Sequence, residues 1–160
     1  MDFDKEIKVL RFMQNYGDQL LEGIAAEDFC RQPVPGMNHP AWIIGHLATA
    51  ADSHAGEAGG QPELHGWDKQ FGFASELSSD LTDYPGKDEL VKAWHDANDR
   101  FIDAVSSASP EVLAGPTRGP LGEMLPQVSD FLAFSLTAHT SLHLGQLSAW
   151  RRAVGMPRLF

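Results

Sequence analysis

Residues 127–154 read QVSDFLAFSLTAHTSLHLGQLSAWRRAV, and this stretch decides the fold. Val128, Leu132, Ser135, His139, Leu142, His143, Gln146 and Trp150 recur at three- and four-residue steps. That is the period of one helix face, not of a strand. Gly155 and Pro157 follow, a pair that ends a helix and prevents its continuation. An isolated helix cannot hide such a stripe, so it needs partners of its own kind.

Three further segments supply them. A first helix is predicted over 3–24, with Phe3, Ile7, Leu10, Met13, Gly17, Leu20 and Ile24 on one stripe and Asp2 and Asp4 suiting its dipole. A second should start at Asn38-His39-Pro40, with Asn38 as N-cap and proline in the first turn, and stop before Gly59-Gly60. Its stripe is Ile43, His46, Leu47, Ala50 and His54. A third spans 87–107, with Leu90, Trp94, Ala97, Phe101 and Val105 inward. Segments 27–38 and 109–126 are rich in Pro and Gly and read as irregular connections. The stretch 59–86 is far longer than a tight turn and reads as a crossover or a lid. No segment alternates like a strand. The expectation is an all-α four-helix bundle in one domain over residues 1–160, its second and third helices parallel.

Composition narrows the function. The chain carries 12 Lys plus Arg against 22 Asp plus Glu, a net charge of −10, which repels phosphate backbones and anionic membrane surfaces. Neither nucleic acid nor membrane is an expected partner. Cys30 is the only cysteine, so an internal disulfide, a Cys-rich zinc cluster and a Cys-x-x-Cys redox pair are excluded. Met1 to Glu6 lack the basic and apolar regions of a secretion signal, and a cytoplasmic location is expected.

Histidines carry the chemistry. His139 and His143 stand four residues apart, a step that turns the helix about 40° beyond one full turn, so both rings leave one face. Two imidazoles at this spacing can chelate a divalent metal; they can equally be hydrogen-bonded polar residues beneath a core. His46, on the apolar stripe of the second helix, favours the metal. Three buried imidazoles are costly unless each finds a partner, and three histidines on one ion leave a position for water or substrate. Binding should then weaken as pH falls through the ordinary histidine range near 6.5. Thr140 stands where a zinc protease of the His-Glu-x-x-His type has its glutamate, which excludes that reading. Gln146 is a candidate pocket residue: a partner behind a ligand, a substrate contact, or a bond to a neighbouring helix. For His39, His54, His65 and His95 a surface position is expected, with His54 also placed to line a pocket mouth. Cys30 reads as a spectator thiol. Arg151 and Arg152 read as partners of their own helix dipole. Trp42, Trp67, Phe71 and Phe73 are candidates for pocket walls or ordinary packing.

Two stretches carry a family resemblance: Asn38-His39-Pro40-Ala41-Trp42-Ile43-Ile44-Gly45-His46-Leu47, and His139-Thr140-Ser141-Leu142-His143-Leu144-Gly145-Gln146-Leu147 with Trp150-Arg151-Arg152 and Gly155-Met156-Pro157 after it. With helix order and the long crossover, the chain resembles the DinB-like superfamily, also called YfiT-like metal-dependent hydrolases. The resemblance implies an up-down-down-up four-helix bundle, often a homodimer. It also implies nickel, zinc or iron held by three histidines, here His46, His139 and His143. Relatives include enzymes that use a low-molecular-weight thiol, such as mycothiol-dependent maleylpyruvate isomerase and bacillithiol transferases. Thr140 and Leu144 stand where the family often has Glu and Arg.

Two classes of function follow. One is a metal-dependent enzyme acting on a small molecule, by thiol S-transfer or by hydrolysis. The other is a non-catalytic metal- or ligand-binding stress-response protein, favoured by the absence of an evident acid or base beside the histidines. No catalytic residue can be assigned. Four tryptophans and nine phenylalanines exceed what one small core hides, which adds to the expectation of a homodimer.

Overall fold

A computed structural model describes residues 2–159. Four long helices make its frame: α1 (Asp4–Leu21), α2 (Pro40–Glu57), α3 (Lys87–Ser107) and α4. The last runs as one rod through Val128–Phe134, a wider π turn at Ser135–His139, and Thr140–Ala153. Among the described residues the fold is all-helical, with no strand beyond a single bridge between Pro116 and Gln127. The predicted span of α3 matches the structure at both ends.

Two apolar clusters hold the helices together. One gathers Leu20 and Leu21 at the end of α1, Ile43 and Leu47 early in α2, Leu90 and Trp94 early in α3, and Leu144, Leu147 and Trp150 late in α4. The other joins Leu10, Ala55, Phe101, Val105, Leu132 and Leu136. Each large side chain fully buried in this way contributes about 1.5–3 kcal/mol. Helix α1 stops at Leu21, short of residue 24, and its last carbonyls are met from other helices. Arg151 Nη1, a buried guanidinium, donates to Leu20 O at 2.5 Å and Glu22 O at 2.8 Å, and Lys87 Nζ to Ile24 O at 2.6 Å. Arg151 therefore serves the end of α1 rather than only the dipole of its own helix.

Helix α2 begins one residue later than its expected cap. His39, fully buried, is the N-cap: Nδ1 accepts from Trp42 N at 3.2 Å, and Nε2 donates to Ser78 O at 2.9 Å. It is buried rather than at the expected surface position, because cap and crossover between them satisfy both ring nitrogens. A second buried polar group pins the crossover. Asp52 accepts from Glu63 N and Leu64 N, both within 3.0 Å, and from Arg100 Nη2 at 2.7 Å.

Helix α4 departs most from the expected face. Leu142 is 62% exposed and Gln146 is exposed, whereas Leu132, Leu136, Thr140 and Leu144 are buried at four-residue steps. A straight α-helix would drift about 40° at each such step. The wider turn at Ser135–His139 absorbs part of that drift and turns the histidine face from the core centre to the seam between α2 and α4. Hydroxyls answer the carbonyls along this turn: Ser135 Oγ donates to Phe131 O, Thr137 Oγ1 to Ala133 O and Ser141 Oγ to Thr137 O, at 2.6–2.8 Å.

Candidate metal centre

His46 comes from α2, and His139 and His143 from either side of the junction between the π turn and the rest of α4. Each offers a ring nitrogen, and these atoms lie within 4.8 Å of one another. His46 Nε2 and His139 Nε2 are 3.3 Å apart. Two nitrogens on one tetrahedral zinc, at 2.0–2.1 Å each, stand about 3.3–3.4 Å apart. A plain imidazole–imidazole hydrogen bond also accounts for that one distance. It does not account for His143, whose Nδ1 is buried with no hydrogen-bond partner. Nor does it explain three half-buried rings with centroids only 4.4–5.3 Å apart. Three neutral imidazoles and an orphaned nitrogen fit a divalent ion.

The tautomer of His46 is set from behind. Its Nδ1 lies 2.7 Å from Phe71 O, and because a carbonyl only accepts, Nδ1 carries the proton and Nε2 the lone pair. Trp42 stacks on the ring at 4.7 Å and 7°, held by its own Nε1 bond to Ser75 Oγ. Phe71 reaches this place only because position 45 is glycine: a Cβ there would sit 2.2 Å from the Phe71 ring. Neither Gly45 nor the Phe71 carbonyl was legible as part of a site. Gly45→Ala should therefore displace Phe71, lower stability by about 1–3 kcal/mol, and weaken metal uptake through His46. Thermal unfolding and metal titration of the same sample check both effects.

Across the seam, Asn38 Nδ2 donates to Gln146 Oε1 at 3.0 Å, and the Gln146 side chain acts on His143, favouring its protonated ring. Gln146 thus stands beside a candidate ligand and is tied to the start of α2. His54, expected at the surface, is instead partly buried edge-on to Phe131 at 4.8 Å and to His139 at 5.4 Å. Two turns beyond His46 it remains near enough to border the site, although it does not join the triad.

Burial, which disfavours the charged ring, holds His54 down to about 3, His139 to about 2 and His143 to about 4, and lowers His46 as well. No carboxylate or cationic side chain figures among the groups acting on the triad. Ligands that stay neutral well below pH 6.5 move the expected loss of metal binding to lower pH than an ordinary histidine would give. Protein stability follows the same sign. An unfolded chain titrates these rings near 6.5, so between about pH 6.5 and about pH 4 it binds more protons than the folded one. The metal-free protein should therefore lose stability as pH falls through that window; bound metal should raise stability at neutral pH and leave the loss as large or larger, because protons compete for the same nitrogens. Denaturant midpoints at pH 7.5 and pH 4.5, with and without zinc, measure it.

Other candidates go elsewhere. His65 is exposed, as expected. His95 is half-buried between Asp18 Oδ1 at 2.8 Å and Gln14 Nε2 at 2.9 Å, joining α3 to α1. Phe73 is 99% exposed and walls nothing. The Cys30 thiol is buried and pushed up to about 11 by that burial, which fits a spectator. A groove of about 920 Å³, bordered by Cys30, Arg31 and Asp80, contains none of the three histidines.

Fold and site define an all-helical protein with three histidines able to hold a metal ion at the seam of two helices. The chain belongs to the DinB superfamily, whose family model matches residues 10–147 and so includes all three histidines. No curated protein and no solved structure matches it.

Proposed function

We propose that His46, His139 and His143 hold one divalent ion (nickel, zinc or iron) and that the protein is a metal-dependent enzyme acting on a small molecule. The single observation that carries this reading is the convergence of three ring nitrogens within 4.8 Å, one of them turned by the Phe71 carbonyl. When bound, such an ion acts as a Lewis acid and lowers the pKa of a thiol or of water. In this chain Phe71 O fixes the proton of His46, Trp42 shields one face of that ring, and Gln146 stands against His143. Cys30 is buried and far from a thiolate, so a thiol would have to be a separate small molecule. S-transfer from that thiol to an electrophile is the leading reaction, and hydrolysis the next. Thr140 faces the core, and no carboxylate acts on the triad, which favours a second reading: a non-catalytic metal- or ligand-binding protein. Turnover of an electrophile that requires both added thiol and metal decides for the transferase; turnover with metal alone decides for the hydrolase. Metal uptake with no turnover of either kind decides for the binding protein. The up-down-down-up arrangement of one domain, a homodimer and a cytoplasmic location complete the proposal, on the sequence grounds given above.

A further inference from the structure

A groove of about 470 Å³ is lined by α2, by the crossover and by the connection that precedes α4. Five side chains along it, Ser53, Glu57, His65, Asp68 and Arg118, make no hydrogen bond or ion pair among the described residues. The groove at Cys30 differs in this respect: Arg31 pairs with Asp28, Gln32 Nε2 donates to Met37 O, and Asp80 accepts from Thr82 N. Asp52 borders the 470 Å³ groove as well, but Arg100, Glu63 N and Leu64 N already satisfy its carboxylate. The charges left over are the carboxylates of Glu57 and Asp68 and the guanidinium of Arg118. Glu57 is half-buried, so it gives up part of its water without gaining a protein partner. Opposite charges that share a groove without pairing leave room for a ligand that meets all of them.

The groove also leads to the metal centre. Thr49 follows His46 by three residues and is its neighbour on the surface of α2. Asp68 opens the short helix Asp68–Phe71, whose last carbonyl meets His46. Both walls therefore start within one turn of that centre. From these observations we infer that the groove binds a basic amino acid, a ligand with two ammonium groups and one carboxylate. The ligand carboxylate pairs with Arg118, and its ammonium groups with Glu57 and Asp68. The inference goes beyond the metal-centre reading and does not depend on it.

Lysine and two analogues that each lack one charge test it. Norleucine lacks the side-chain ammonium, and cadaverine lacks the carboxylate. Each is titrated into the metal-free full chain at about pH 7, where all the groups concerned are charged, and at constant ionic strength. Backbone amide NMR shifts at Ser53, Glu57 and Arg118 report binding. Lysine should bind more tightly than either analogue by about two- to fivefold, the range of one exposed ion pair. Arg118→Gln should abolish the advantage of lysine over cadaverine. The double variant Glu57→Gln, Asp68→Asn should abolish its advantage over norleucine. No saturable shift in the groove, an analogue bound as tightly as lysine, or preferences unchanged in these variants overturns the inference. None of those outcomes touches the metal reading, which metal uptake tests separately.

Discussion

His139→Ala should lower zinc or nickel affinity by more than about 100-fold, because partners behind a ligand are alone worth about 10–100-fold and His139 is in front. His139 Nε2 lies 3.3 Å from His46 Nε2, and its ring is 4.7 Å from that of His143, so it stands between the other two candidate ligands. The measurement is competition against a chelator of known affinity, with metal content determined after reconstitution. His65→Ala is the control, since His65 lies exposed and outside the triad, and should bind as the wild type does. A substituted chain that binds as tightly as the wild type would remove the site as described. The three histidines would then be half-buried polar residues of the bundle, and only their acid sensitivity would remain.

Asp52→Ala should loosen the crossover and lower the stability of the whole protein. The carboxylate is buried and meets Arg100 and two backbone N–H groups at once. Removing it leaves two amides without their acceptor and Arg100 with Glu63 alone, at 3.2 Å, a change that costs up to about 3–5 kcal/mol. For a chain of this size that is on the order of 10 °C in melting temperature. Asp52→Asn keeps an acceptor but loses the charge and should fall between. The crossover also carries Phe71, so metal affinity should fall alongside stability. Calorimetry and denaturant titration read the first effect and metal titration the second; a loss below about 1 kcal/mol would show that the carboxylate is not what holds the segment.

Asp52 also marks where sequence reading stops. A buried aspartate in the middle of α2 looks like any solvent-facing charge until residues 63, 64 and 100 are brought to it. His39 is the same case: read alone it is a polar residue at a helix start, and its burial follows from Ser78, thirty-nine residues away. Leu142 fails in the other direction. It sits on the apolar stripe of a regular helix but lies exposed, because the π turn at Ser135–His139 changes the angle between the two halves of α4. A run of hydroxyls at Ser135, Thr137 and Ser141, each able to bond four residues back, was the one local sign of that turn.

By itself the sequence determined what depends on the spacing within one helix. That covers four amphipathic segments, the span of α3, the common direction of His139 and His143, and the membership that the two motifs carry. Spacing suffices there because a helix repeats every 3.6 residues whatever surrounds it. The tertiary structure alone decided which surfaces meet. It turned the Phe71 carbonyl onto His46 through the gap at Gly45, set His54 against His139, and tied Gln146 to Asn38. Each of these contacts joins residues far apart in the chain, and its geometry is fixed by packing between elements, which no periodicity within a single element encodes.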